Sequence, residues 1–105
     1  MKKIAVSPSI MCADLVNLEK SIREIEEIGV DSLHIDIIDS SFSPSMPLGI
    51  DTVKKIRSMT SMKFDVHIMS MNNELFIQEI INIGAESITF HYESSLHIDR
   101  FINLI

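Results

Sequence analysis

Residues 24–33 run Glu24-Ile25-Glu26-Glu27-Ile28-Gly29-Val30-Asp31-Ser32-Leu33, and 55 residues later residues 79–88 run Glu79-Ile80-Ile81-Asn82-Ile83-Gly84-Ala85-Glu86-Ser87-Ile88. Both copies describe one junction. An apolar helical stripe ends, a glycine supplies the left-handed residue after the last turn, and an acidic residue precedes a run suited to a strand. A junction that recurs after 55 residues recurs after about two strand-helix units.

Working outward from these junctions, β-branched or alternating runs at about 4–9, 32–37, 62–68 and 86–91 read as strands. Between them lie helical stripes: Leu15, Leu18, Ile22, Ile25 and Ile28; then Val53 and Ile56; then Leu75, Ile77, Ile80, Ile81 and Ile83. A last helix is expected from near Leu96 to the end. The strand starts fall about 28, 30 and 24 residues apart, which suits a strand, a crossover helix and two short loops per unit. The expected order is βαβαβαβα, an α/β arrangement of four units. Four units make half of a (β/α)8 barrel, whose full length is roughly 250 residues. An open doubly wound sheet is expected to carry a glycine-rich first turn; no Gly-x-Gly-x-x-Gly occurs here. With three Gly and three Pro in all, there is little room for a linker, so residues 1–105 read as one partial domain.

Composition narrows the function classes. Hydrophobic residues make up 46% of the 105 and charged residues 23%, with mean hydropathy +0.23, so the chain has the material for a packed core. Nine Lys and Arg stand against fifteen Asp and Glu, a net charge of −6 with no basic cluster, which argues against a nucleic-acid partner. No apolar run approaches the roughly 18 residues of a membrane span, and Met1-Lys2-Lys3-Ile4 lacks the apolar stretch of a secretory signal. A cytoplasmic protein that meets neither membrane nor nucleic acid is expected. Cys12, the single cysteine, forms no internal disulfide and reads as a small buried apolar residue rather than a nucleophile.

Side chains alternate along a strand, so Leu33, Ile35 and Ile37 face the helices while His34 and Asp36 face the barrel interior. The same parity puts Phe64, Val66 and Ile68 outward and Asp65, His67 and Met69 inward. It turns Val6 and Pro8 out, leaving Ser7 and Ser9 inward, and turns Ile88, Phe90 and Tyr92 out, leaving Ser87, Thr89 and His91 inward. Each polar set then lies near the C-terminal end of its strand, where barrel enzymes keep their active sites. One inward histidine is ordinarily a hydrogen-bonded core residue. Three inward imidazoles and a carboxylate at matched depth would be costly to desolvate unless paired or bound to something. Two imidazoles and a carboxylate, from His34, His67 and Asp36, suit zinc, iron(II), manganese or cobalt with positions left for substrate oxygens. Asp39 and Asp65 are expected to play structural parts, and His97 to be solvated.

In order and spacing, Ser7-Pro8-Ser9-Ile10, His34-Ile35-Asp36-Ile37-Ile38-Asp39, Phe42-x-Pro44, Asp65-Val66-His67-Ile68-Met69 and His91-Tyr92-Glu93 together resemble the motifs of the ribulose-phosphate 3-epimerase family, which includes relatives acting on allulose 6-phosphate. The resemblance spans essentially the whole chain. It implies the N-terminal half of a (β/α)8 barrel, with His34, Asp36 and His67 as ligands of one divalent metal ion. It further implies Asp36 as a catalytic aspartate, and Ser7, His67 and Met69 as substrate contacts. Where the family usually runs Asp-Gly-His-Phe-Val-Pro-Asn, this chain has Asp39-Ser40-Ser41-Phe42-Ser43-Pro44-Ser45. The family's fourth ligand, its second catalytic aspartate and its main phosphate loops come from the other half of the barrel.

The implied chemistry is epimerisation at C3 of a phosphorylated ketose, ribulose 5-phosphate to xylulose 5-phosphate or allulose 6-phosphate to fructose 6-phosphate. It proceeds by proton abstraction through an enediolate. With one of two aspartates present, the chain is expected to be an inactive half of such an enzyme. The alternative from another class is a half-barrel that binds a metal ion and pairs with itself without catalysis, since a short parallel sheet exposes two edges and an inner face. A homo-oligomer is expected on either reading.

Overall fold

A computed structural model describes residues 3–105; Met1 and Lys2, which open the chain, lie outside the described residues. Three parallel strands, β1 (Ser32–Ile38), β2 (Lys63–Met69) and β3 (Ser87–Phe90), form a sheet in the order β1-β2-β3. Helices α1 (Leu18–Ile28), α2 (Ile50–Met59), α3 (Asn73–Ile83) and α4 (Ile98–Leu104) alternate with them. This is the expected α/β pattern of a partial barrel.

The alternation read in the sequence sets the two faces of the sheet. Leu33, Ile35, Ile37, Phe64, Val66 and Ile68 are fully or almost fully buried. They share one core with Ile22 of α1, Val53 and Ile56 of α2, and Ile77 and Ile80 of α3. The opposite face carries His34, Asp36, Asp65 and His67, which stay partly exposed. Ladder register puts Asp36 opposite His67, and His34 opposite Asp65. Arg57 closes the far end of α2: its guanidinium stacks 4.1 Å over the Phe64 ring and donates to the Thr60 and Met62 carbonyls.

Gly29 and Gly84 end α1 and α3 at φ 78° and 79°, and their N–H groups close the last helical turns. The acidic residue two positions on then acts as a hook. Asp31 accepts the Val6 N–H through its carboxylate at 2.8 Å and donates its own N–H to the Val6 carbonyl. Glu86 does the same to Phe64, with its carboxylate 2.7 Å from the Phe64 nitrogen. The 55-residue repeat is therefore a repeat of bonding as well as of sequence.

Three expectations need correction. The run at 4–9 forms no regular strand; it is extended chain joined to β1 by one bridge, Ser9 to His34. Ser32 and His34 donate to the Val6 and Pro8 carbonyls, but a further parallel bridge would need an N–H from residue 8, and proline has none. Leu15 lies outside α1, because Asp14 accepts the N–H groups of Val16 and Asn17 and holds a turn there; Ile28 is left 77% exposed at the helix end. Cys12 is exposed rather than buried, since the tight turn at Ile10–Cys12 sends Ile10 into the core and the residues after it outward. The last helix agrees with its expected start near Leu96, beginning two residues on at Ile98.

Candidate metal and active site

Two neighbouring strands that alternate in phase bring their polar residues together at one level, and Asp36 stands at the centre. His34 Nε2 and His67 Nδ1 lie 3.2 and 3.1 Å from its Oδ1, and Ser9 donates from Oγ to its Oδ2 at 3.3 Å. One donor atom from each of His34, Asp36 and His67 lies within 4.8 Å of the other two. A cation held at the usual 2.0–2.2 Å of such ligands needs neighbouring donors about 3 Å apart. The two measured separations meet that requirement, and two imidazoles with a carboxylate are the donor set such ions take. The group fits a divalent metal ion.

The outer nitrogen of each imidazole is also engaged. His34 Nδ1 lies 2.8 Å from Asp65 Oδ2, and His67 Nε2 lies 2.7 Å from His91 Nε2. His91 Nδ1 in turn lies 3.2 Å from Glu93 Oε1. Burial disfavours the His34 imidazolium, but the Asp65 hydrogen bond and the Asp36 charge outweigh it and lift His34 above its ordinary range. Asp65 is held below the usual carboxylate range, first by the hydrogen bond from His34.

At the rim, Asp39 ties together the loops that follow β1 and β2. Its carboxylate accepts from Ser41 N and Oγ at 3.0 and 2.5 Å, from Ser70 Oγ at 2.7 Å and from Asn72 Nδ2 at 2.9 Å. Ser41 Oγ also accepts the Met71 N–H at 2.8 Å. Burial pushes Asp39 up, but hydrogen bonds from Ser41, Asn72 and Ser70 outweigh it and hold it well below the carboxylate range. Between Asp39 and Ser41, Ser40 adopts φ 67°, a left-handed conformation at the position where the resembling family carries glycine. Phe42, further along the same loop, packs its ring 4.7 Å from the His91 ring.

The structure thus brings together His34, Asp36 and His67 as the inward parity requires, and it places Met69 on the same side one step beyond His67, opposite Ile38. Ser7 is not brought to this cluster. It is exposed and lies two residues before Ser9, which is the serine that reaches Asp36. Nor is His91 at matched depth: Thr89 stands opposite His67, and His91 lies two residues past it, reaching back to His67 Nε2. Asp65 and Asp39 take the structural parts expected of them, and His97 is exposed. Sequence reasoning missed Glu93 and the packing of Phe42 on His91; their presence within the quoted motifs was the available signal.

Comparison with known proteins identifies a family. Residues 5–105 match the model of the "Ribulose-phosphate 3 epimerase family". The chain is 35% identical over 102 residues to a ribulose-phosphate 3-epimerase of Bacillus subtilis, covering 97% of this chain and 47% of that protein. It is 36% identical over 101 residues to the Synechocystis protein of that name (94% and 44%), and 36% over 102 residues to that of Methanocaldococcus jannaschii (97% and 43%). The chain spans about half the length of the curated relatives it matches.

Proposed function

The chain belongs to the ribulose-phosphate 3-epimerase family, a family of isomerases, and on that premise we propose that it supplies the metal-holding half of a sugar-phosphate 3-epimerase site. The observation that carries this reading is the convergence of His34 Nε2, Asp36 Oδ1 and His67 Nδ1 at the C-terminal ends of β1 and β2. His34, Asp36 and His67 would hold one divalent cation: zinc, iron(II), manganese or cobalt. When bound, it supplies Lewis-acid stabilisation of negative charge developing on the ketose oxygens.

Asp36 takes the proton from C3 of a phosphorylated ketose, ribulose 5-phosphate or allulose 6-phosphate, because its carboxylate faces the open side of the sheet. Ser9 steadies that carboxylate through Oδ2. Met69 is assigned to the substrate side of the mouth, as an apolar wall beside the reacting carbons. Inversion through a planar enediolate needs a second acid on the opposite face. Among the described residues the other carboxylates near the mouth are committed elsewhere: Asp65 to His34, Asp39 to the rim loops and Glu93 to His91. The 105 residues alone are therefore assigned proton exchange at C3 at most, without epimerisation.

The test is to add zinc or manganese to the purified chain with ribulose 5-phosphate in deuterated water and follow both C3 exchange and formation of xylulose 5-phosphate. Exchange that disappears in Asp36→Asn, with no inversion, is expected. Undiminished exchange in the Asn protein would remove Asp36 as the base, and epimerisation at about 1 s⁻¹ or more, the rate of an ordinary enzyme, would show that no second half is needed. A second reading, self-association of a half-barrel, draws on the exposed Tyr92, Leu96 and Ile102, which line one hollow after β3, and sedimentation velocity distinguishes it. Among the described residues no helix is long and apolar enough to cross a membrane; we assign the protein to the cytoplasm, where fractionation would find it.

A further inference from the structure

The hydrogen-bonded row that runs from Glu93 to Asp36 has a direction, and the direction is set at its outer end. A carboxylate only accepts, so the contact of 3.2 Å between Glu93 Oε1 and His91 Nδ1 requires the proton to sit on His91 Nδ1. The neutral His91 ring then offers a lone pair at Nε2. At 2.7 Å from it, His67 Nε2 must be the donor. A neutral His67 with its proton on Nε2 turns the Nδ1 lone pair toward Asp36 Oδ1, 3.1 Å away. Two lone pairs facing each other at that distance repel unless a positive charge sits near both.

We propose that His91, oriented by Glu93 and Phe42, is a positioning residue that fixes His67 as the tautomer protonated on Nε2 and so presents Nδ1 to a divalent cation. This rests on the reading of His34, Asp36 and His67 as a metal group and extends it to residues that touch no ion. His91 is suited to the task because three contacts define its ring: Glu93 at Nδ1, the Phe42 ring at 4.7 Å and the His67 ring at 4.9 Å. Phe42 owes its place to the loop that Asp39 clasps. On the other side Asp65 does for His34 what His91 does for His67, its Oδ2 accepting from Nδ1 at 2.8 Å and leaving Nε2 for the site. Outer partners of ligating histidines act in this way generally, and their loss costs about 10- to 100-fold in metal affinity.

Two readouts on the chain decide the matter. The first is zinc affinity, measured by competition with a chromophoric chelator. The second is the His67 tautomer in the metal-free chain, read from the imidazole nitrogen shifts. His91→Leu should weaken zinc about 10- to 100-fold and leave His67 a mixture of tautomers, whereas His91→Gln, whose amide oxygen can accept from Nε2, should recover most of both. Glu93→Ala, at the solvent-facing end, should loosen zinc by a smaller factor and carries the test should His91→Leu fail to fold. Wild-type affinity and an unchanged His67 tautomer in these variants would overturn the role of His91 while leaving the metal group intact. Absence of zinc binding by the wild-type chain would instead overturn the metal reading and this inference with it.

Discussion

Replacing Asp36 by Asn should separate its chemistry from its place in the fold. The carboxylate makes three contacts: His34 Nε2 at 3.2 Å and His67 Nδ1 at 3.1 Å share Oδ1, and Ser9 Oγ at 3.3 Å meets Oδ2. An asparagine with its oxygen at the Oδ1 position keeps the His34 contact, and its amide nitrogen at the Oδ2 position donates to Ser9, whose hydroxyl can accept; His67, protonated on Nε2, offers Oδ1 a lone pair and no proton, so it loses no hydrogen bond. No contact is lost; each becomes neutral. A hydrogen bond to a charged group contributes roughly 1.5–3 kcal/mol and a neutral one roughly 0.5–1.5. The change thus costs about 1 kcal/mol at His34 and less at the longer serine contact, about 1–2 kcal/mol in all. Asp36→Ala leaves His34 and Ser9 without this acceptor and should cost more, since each group left unpaired in this part-buried site adds up to about 1–3 kcal/mol. Zinc affinity should fall at least about 100-fold in both variants, because losing a ligand costs no less than losing the partner of a ligand. Urea unfolding of the metal-free chain, followed by circular dichroism, gives the stabilities, and chelator competition gives the affinities. An Asn variant as unstable as the Ala variant, or one that binds zinc like the wild type, would refute this account of Asp36.

At Asp39 every neighbour donates, two to each oxygen, so Asp39→Asn leaves two donors facing an amide N–H, of which only the serine hydroxyl can turn to accept, and should cost about 1–3 kcal/mol at pH 7. Because Asp39 is depressed below its ordinary 3.8, its contribution is fully present above that value and is lost as pH falls toward the folded one. The stability gap between wild type and variant should therefore narrow between pH 4 and 2 in urea titrations, and a gap independent of pH would count against the clasp. Ser40→Gly relieves the left-handed residue at φ 67° and should raise stability by up to about 1 kcal/mol, less the extra freedom glycine gains when unfolded; a lower urea midpoint would contradict it. Ile77→Ala empties a fully buried position between α3 and the sheet and should cost about 2–5 kcal/mol in the same assay, with zinc affinity unchanged.

Much of this was legible in the sequence because strand parity has a period of two and one face of the sheet is apolar throughout. Leu33, Ile35 and Ile37 against His34 and Asp36 admit only one assignment of faces, and Phe64, Val66 and Ile68 against Asp65 and His67 repeat it. Glycines 29 and 84 marked the helix ends for an equally local reason. What the chain could not declare was anything depending on register between strands. The pairing of Asp36 with His67, the two-residue offset of His91 and the advantage of Ser9 over Ser7 come from how far each strand slides along its neighbour. Local polar competition accounts for other misses: Pro8 cost the first segment its ladder, and Asp14 took the backbone donors that would have carried α1 back to Leu15.

The acidic hooks at Asp31 and Glu86 lie at the end of the sheet opposite to His34, Asp36 and His67, where strands begin rather than finish. Mooring neighbouring chain segments there, with both main-chain groups of the earlier residue gripped at once, leaves the far rim to a separate clasp at Asp39. Rim loops can then drift in sequence while the foundation holds still, as when Ser40-Ser41 stands in place of glycine and histidine. An aspartate serves at one hook and a glutamate at the other, so the mooring itself tolerates a methylene of difference. A scaffold divided in this way can change what its mouth admits without renegotiating how it folds.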